Sequence, residues 1–268
     1  MPEYSAELPP GGARRRTVTA ENPVAVYFAS CTSTMFGPDE GDGVAESFLR
    51  LCERAGVEVV TPRGLPSLCC GTPWKSKGLT DGAALMTARV VEALRVATRD
   101  GELPVVCDAS SCTEGLEVLL SAAREHGIRV VDAVAFVASD VLPHLPAGSR
   151  LPSLTLHPTC SSVRAGITGA LTTVARAVAD EVVVPDDWGC CAFAGDRGML
   201  HPELTASATA AEARGVAAAG SSAHASLNRT CELGMTRATG VGYRHVLELL
   251  DEVTLDGTIR TKSGDARE

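Results

Sequence analysis

The sequence predicts an α/β protein of two tandem, pseudo-repeated Rossmann-like halves, each a small parallel sheet flanked by helices. Two observations predict it. Short apolar runs alternate with longer segments of helical periodicity, an order that implies parallel strands joined by right-handed crossovers. The cysteines also repeat. Cys31, 37 residues, Cys69-Cys70, 41 residues and Cys112 form one set; Cys160, 29 residues, Cys190-Cys191, 39 residues and Cys231 form the other.

Residues 1–22 hold Pro9-Pro10-Gly11-Gly12 and no hydrophobic periodicity, which reads as a disordered leader. The first half is expected over 23–145. Val24 to Phe28 is apolar enough for a buried strand that delivers Cys31 at its carboxyl end. A helix follows over 43–55 with Val44, Phe48, Leu51 and Cys52 on one face. Val57 to Val60 is a strand whose loop leads to Cys69-Cys70. A helix over 79–99 carries Leu85, Val90, Leu94 and Val96. The strand from Pro104 to Cys107 leads through Asp108-Ala109-Ser110-Ser111 to a helix opening at Cys112, then come a strand at Val130-Val131 and a helix over 133–142. Pro143 to Pro152 reads as the connection.

The second half, 146–255, repeats the order. A strand from Ser153 to His157 delivers Cys160, and a helix covers 164–179. The strand from Glu181 to Val184 leads to Cys190-Cys191. A helix over 203–218 precedes a weak strand, Ala223 to Ser226, and Asn228-Arg229-Thr230 leads to Cys231. A helix closes the half over 243–252. Residues 256–268 are polar and read as a tail.

Composition narrows the function. Apolar residues make up 45% and charged residues 21% of the 268, as in a folded protein with a large core. A formal charge of −9 argues against nucleic-acid binding, which needs a basic face. Arg14-Arg15-Arg16 reads as a solvated tail. No apolar run approaches the ~18 residues of a membrane span, so no integral membrane protein is expected. The first residues lack a signal peptide's charged and apolar regions, which points to the cytoplasm. In a reducing compartment ten cysteines read as metal ligands or redox groups, not as disulfides.

In parallel α/β sheets sites form at the carboxyl ends of the strands. Cys31, Cys107 and Cys160 follow strands, while Cys112 and Cys231 lie where helices start, and a helix N-terminus favours a thiolate. Each set can therefore meet at one sheet end. Four thiolates are the usual requirement of an iron–sulfur cluster. Adjacent cysteines hardly reach two positions on one tetrahedral ion but can reach neighbouring irons. Zinc is the alternative, although its sites favour a C-x₂₋₄-C spacing. Cys52 reads as a core thiol. Cys107 is a core thiol or an extra ligand. His157, three residues before Cys160, reads as a hydrogen-bonded structural residue, with a ligand or proton relay as the alternative. Lys75 and Lys77 are solvated or meet an anion, and Asp196-Arg197 reads as a local ion pair.

Five segments resemble a known family: Cys69 to Gly78, Cys107 to Cys112, His157 to Cys160, Cys190 to Gly198, and Arg229 to Glu232. They are similar to the cysteine-rich CCG domains of the heterodisulfide reductases and of anaerobic glycerol-3-phosphate dehydrogenase. The closer resemblance is to the C-terminal iron–sulfur part of fused FAD-linked D-lactate (D-2-hydroxyacid) dehydrogenases, over residues 24–255. The resemblance implies metal ligation by Cys31, Cys69, Cys70, Cys112, Cys160, Cys190, Cys191 and Cys231; Cys107 is a substitute fifth ligand of the first set or a core thiol. Lys77, His157 and Arg197 would contact an anion or stand behind the ligands. One or two 4Fe–4S clusters are implied, with zinc as the alternative in the second half.

Three departures bear on this. The heterodisulfide reductase pattern closes on C-x-x-C, but its first position is Ala109 in one half and Asn228 in the other, and Ala192 replaces the glycine after the second pair. The implied function is an electron-transfer module between a flavin dehydrogenase and a quinone or cytochrome acceptor. FAD would come only through a partner, which turnover would require, with a ferredoxin-type domain as a further partner. Such a chain could sit peripherally on the inner face of the membrane. A heterodisulfide-reductase-type thiol/disulfide oxidoreductase and a zinc-stabilised assembly module are the alternatives.

Overall fold

The computed structural model describes residues 11–255. The expected start of the leader, 1–10, and the tail, 256–268, lie outside the described residues. In the first half the order is β1 (Ala25–Phe28), α1 (Thr32–Met35), α2 (Val44–Arg54), β2 (Val59–Val60), α3 (Thr72–Ser76), α4 (Thr80–Thr98), β3 (Val105–Cys107), α5 (Ser110–Ala122), β4 (Val130–Asp132) and α6 (Ala133–Phe136). In the second it is β5 (Leu151–Leu156), α7 (Cys160–Arg164), α8 (Thr168–Val178), β6 (Ala179–Val183), α9 (Arg197–Leu200), α10 (Pro202–Ala219), β7 (Ala223–Ser226), α11 (Arg229–Thr239), β8 (Arg244–His245) and α12 (Val246–Val253).

Both sheets are four-stranded and parallel, in the orders β2-β1-β3-β4 and β6-β5-β7-β8. In each, the winding reverses between the two central strands, β1 and β3 or β5 and β7. A crevice opens at their carboxyl ends, the usual place for a site in such sheets. The α/β class and the two parallel, helix-flanked halves are thus as expected.

Local differences have local causes. The helix expected over 164–179 is two, α7 and α8, separated by a turn at 165–167. The helix over 133–142 is α6 continued by a π turn over Val137–Val141 and a 3₁₀ turn over Leu142–His144. The helix opening at Cys112 begins earlier, at Ser110. In α4 the buried stripe is Met86, Val90, Leu94 and Thr98, while Leu85 and Val96 are exposed. Apolar residues lie on two adjoining faces of that helix, and packing selects the i, i+4 row through Met86.

Residues 11–22, part of the expected leader, lie along the first half. Val18 N–H donates to the Thr61 hydroxyl at 2.9 Å, Thr61 N–H donates to Val18 O at 3.1 Å, and Arg16 pairs with Glu46. The arginine run is not a free tail.

One continuous apolar core crosses both halves. Tyr27 of β1 stacks on Phe48 of α2, ring centroids 4.5 Å apart, and Phe48 meets Phe136. Helix α12 belongs to the second half in sequence, yet it packs on α2 of the first as well as on α8. Its buried Leu247, Leu249, Leu250 and Val253 join the two sheets through one layer of helices.

A buried carboxyl in this core makes stability pH-dependent. Asp132 Oδ1 accepts from Val134 N–H at 2.8 Å and caps α6. Burial pushes its pKa up from 3.8 to about 7. Between those values the folded state binds more protons than the unfolded chain, so stability falls as pH rises through that window. Asp132→Asn keeps the accepting oxygen without the charge. Urea midpoints measured from pH 4 to pH 7 should fall less steeply in this variant than in the wild type.

Candidate metal centre

At the first switch point five sulfurs form a connected group. Cys31 follows β1, Cys107 ends β3, Cys112 lies in the first turn of α5, and Cys69-Cys70 arrive on the loop between β2 and α3. Cys31 hydrogen-bonds Cys69, Cys69 contacts Cys70, Cys70 contacts Cys112, and Cys112 contacts Cys107. Cys70, Cys107 and Cys112 are buried. Hydrogen bonds from Cys31 and then Cys70, with Gly71 N–H and the Arg15 charge, hold Cys69 down at about 3. The same contact with Cys69, together with burial, pushes Cys31 up. These contacts favour the thiolate on Cys69 over that on Cys31.

Glycine is required at two places around this group. Gly71, directly after the pair, has φ +88°. Gly115, in α5, faces the pair so closely that a Cβ there would lie 3.0 Å from Cys70 O and 3.2 Å from Cys70 Sγ. Helix α5 can therefore approach the loop only through a bare backbone.

Arg15, which sequence patterning places in solvent, is part of this site. Its guanidinium donates to Ala29 O at 3.2 Å and to Pro66 O and Leu68 O, each at 3.0 Å. Its charge lowers the pKa of both Cys31 and Cys69. For Cys52, burial in the core alone pushes the thiol up to about 12.

The second group has the same plan and a different make-up. Cys160 opens α7, Cys231 lies in the first turn of α11, and Cys190-Cys191 sit on the loop between β6 and α9. Cys191 Sγ lies 3.1 Å from Cys231 Sγ, and Cys160 contacts Cys190. Cys191 and Cys231 are buried, but Cys190 is exposed. Ala192 N–H donates to Cys190 Sγ at 3.4 Å, as Gly71 N–H does to Cys69 in the first half. Ala192 adopts φ +54°, the left-handed conformation that glycine takes at Gly71. The alanine therefore keeps the loop geometry at the cost of backbone strain.

His157 belongs to this second group. Burial pushes its ring down, but Cys191 and Glu212 more than offset this and raise it to about 9. Cys231 and then His157 hold Cys191 down, at about 5, against the effect of burial. Nδ1 of His157 is 2.7 Å from Glu212 Oε1, with both side chains buried. His157, Cys191 and Cys231 offer donor atoms that all lie within 4.8 Å of one another.

Of the two positions where a C-x-x-C motif would have its first cysteine, Asn228 forms a joint between the halves. Ala109 precedes α5 and is buried. Asn228 Nδ2 donates to Ser110 Oγ at 2.9 Å and to Ser161 Oγ at 3.2 Å, and its Oδ1 accepts from Ser111 N–H at 3.2 Å. Ser110 in turn meets Thr159 and Ser161. The N-termini of α5, α7 and α11, each carrying a cysteine, are thus tied by one buried hydroxyl–amide network.

Lys77 and Arg197 lie at the edge. Lys77 Nζ is 2.9 Å from Asp196 Oδ2, so the two cysteine-pair loops are bridged across the halves. Asp196 pairs with Lys77, not with Arg197 as its sequence neighbour suggests; Arg197 is exposed at the start of α9.

The cysteine-rich domain (CCG) family model matches residues 25–117. That span runs from β1 into α5 and holds all five sulfurs of the first group. The match supports a metal-binding or redox module. No curated protein matches the chain. Among solved structures, the aspartate racemase of Picrophilus torridus is 10% identical, with 86% of this chain and 92% of that chain covered at a TM-score of 0.36. An aspartate racemase homologue from Pyrococcus horikoshii is 12% identical, with 85% and 96% covered at 0.32. At those scores the likeness carries no argument. No helix among the described residues is long and apolar enough to cross a membrane.

Proposed function

We propose that this protein is the iron–sulfur electron-transfer module of an FAD-linked D-2-hydroxyacid dehydrogenase of the D-lactate type. It passes electrons from a flavin partner to a quinone or cytochrome-type acceptor. The observation that carries the reading is the repeated group of four cysteines at the switch point of each sheet. The residues fit a cluster. The first group is rich in thiols, three of them buried, and helix α5 closes on the pair through the bare backbone of Gly115.

Cys31, Cys69, Cys70 and Cys112 would hold the first cluster, with Cys107 beneath them, and Cys160, Cys190, Cys191 and Cys231 the second. When bound, a 4Fe–4S cluster supplies one-electron redox chemistry at a potential set by charge, hydrogen bonds to sulfur and exposure. The chain's residues govern those terms. Gly71 and Ala192 N–H groups donate to sulfur, Arg15 places positive charge beside Cys31 and Cys69, and the buried faces of α5 and α11 exclude water. Substrate oxidation is assigned to the FAD-containing partner.

Metal analysis of anaerobically purified full-length chain tests the reading. Iron and sulfide in cluster stoichiometry are expected, with visible sulfur-to-iron absorption that bleaches on reduction. Stoichiometric zinc without iron in both halves would overturn it in favour of an assembly module.

A further inference from the structure

The halves differ at one level of the sheet, directly beneath the cysteines. In the first half Phe28 of β1 is in register with Cys107 of β3. Phe28 stands three residues before Cys31, and Cys107 five before Cys112. The same offsets in the second half fall on His157 and Ser226, one step beyond the register pair Leu156 and Ala225. His157 N–H donates to Ala225 O at 2.8 Å, which continues the ladder to that step. Each half therefore places one further metal-binding donor under its four cysteines. It is a sulfur at the end of β3 in the first half and an imidazole just past the end of β5, the counterpart of β1, in the second.

The imidazole is held for that use. Glu212, from α10, fixes Nδ1 at 2.7 Å, with His157 0% and Glu212 1% exposed. A carboxylate on the far nitrogen is the usual way a metal-binding histidine is oriented. The other nitrogen, Nε2, is buried with no hydrogen-bond partner of acceptable geometry and lies against the Cys191 sulfur. Ser226 does not compete for it, because its hydroxyl donates to the His157 carbonyl at 3.0 Å.

We propose that the second centre takes a nitrogen ligand: His157 Nε2 binds its metal together with the sulfurs of Cys191 and Cys231, while the first centre is bound by sulfur alone. The proposal rests on the reading of both cysteine groups as metal centres. Glu212 is a positioning residue. Imidazole in place of thiolate removes negative charge from a centre and raises its potential. With clusters bound, the two centres would be unequal, the second at the higher potential.

Cadmium NMR on the full chain, freed of metal and loaded anaerobically with cadmium carrying a nuclear spin, tests this without any enzyme turnover. Histidine labelled with heavy nitrogen makes a bound imidazole visible as a splitting. Two cadmium resonances are expected, one of them split. His157→Ala should abolish the splitting and move only that resonance; the unmoved one serves as the control for folding. Glu212→Gln should keep the splitting while weakening that site about tenfold. Two unsplit resonances in the wild type would overturn the nitrogen ligand and leave the metal-centre reading standing. A second half that retains no cadmium would overturn the metal-centre reading of that half itself. Splitting that survives in His157→Ala would assign the ligand to another histidine and sink the proposal.

Discussion

Cys70→Ser should empty the first centre, while Cys52→Ser should leave it full. Both cysteines are buried at the core, at 3% and 1% exposure, so burial alone does not distinguish them. Their neighbours do. Cys70 touches Cys69 and Cys112 and faces Gly115, whereas Cys52 lies on the buried apolar face of α2 with Phe48 and Leu51. A hydroxyl at position 70 removes a soft ligand at the middle of the group and leaves Cys69 and Cys112 without the sulfur that links them. Iron per chain should drop by the content of one cluster in Cys70→Ser, with the visible absorption reduced in proportion. Cys52→Ser should retain full iron and lose about 1–2 kcal/mol of stability, from a hydroxyl buried in apolar surroundings. Equal iron in the two variants would show that the pair is not a ligand.

Asp251→Ala should be the most damaging single change outside the sulfur groups. Asp251, on α12, is 1% exposed. It accepts from Arg50 Nε at 2.8 Å and Nη2 at 2.6 Å, and from Arg54 Nη2 at 2.6 Å. Both arginines come from α2, so one carboxylate joins the two halves. Removing it leaves two guanidinium groups facing each other at a largely buried contact. Breaking one partner of a buried ionic cluster costs about 3–5 kcal/mol. The arginines retain some solvent, which places the expected loss near the lower end, about 3 kcal/mol. Urea denaturation should show it as a lowered midpoint. Asp251→Asn, which keeps one acceptor, should lose less. A change below about 0.5 kcal/mol would mean that the pair behaves as an ordinary surface bridge.

Much of this is legible in the sequence. Buried parallel strands are short apolar runs, and β1, β3 and β4 lie within a residue of where such runs occur. The pair-and-single order of the cysteines locates both groups, because strand ends and helix starts are local features. Patterning fails where two faces of one helix are similarly apolar, as in α4. It also misses α1, α3, α9 and β8, which are too short to show a period. Arg15 escapes it because its partners are backbone carbonyls of Ala29, Pro66 and Leu68, and no sequence pattern marks a carbonyl that faces a cation.

What the sequence by itself determined is the alternation of strands and helices, the doubling of the chain, and the repeated order of single cysteines at element ends and cysteine pairs on loops. These follow from side-chain period and spacing, which act over a few residues. Only the tertiary structure decided which groups meet. Cys107 joins Cys112 in the first group, Glu212 reaches His157 from 55 residues away, Asn228 closes the joint at Ser110, and Asp251 ties α12 to α2. Each of these contacts joins different elements or brings their ends together, and is set by how sheets twist and helices pack. The same packing makes the two centres unlike. A register step filled by Phe28 and Cys107 in one sheet is filled by His157 and Ser226 in the other, and the difference gains chemical meaning only once the strands lie side by side.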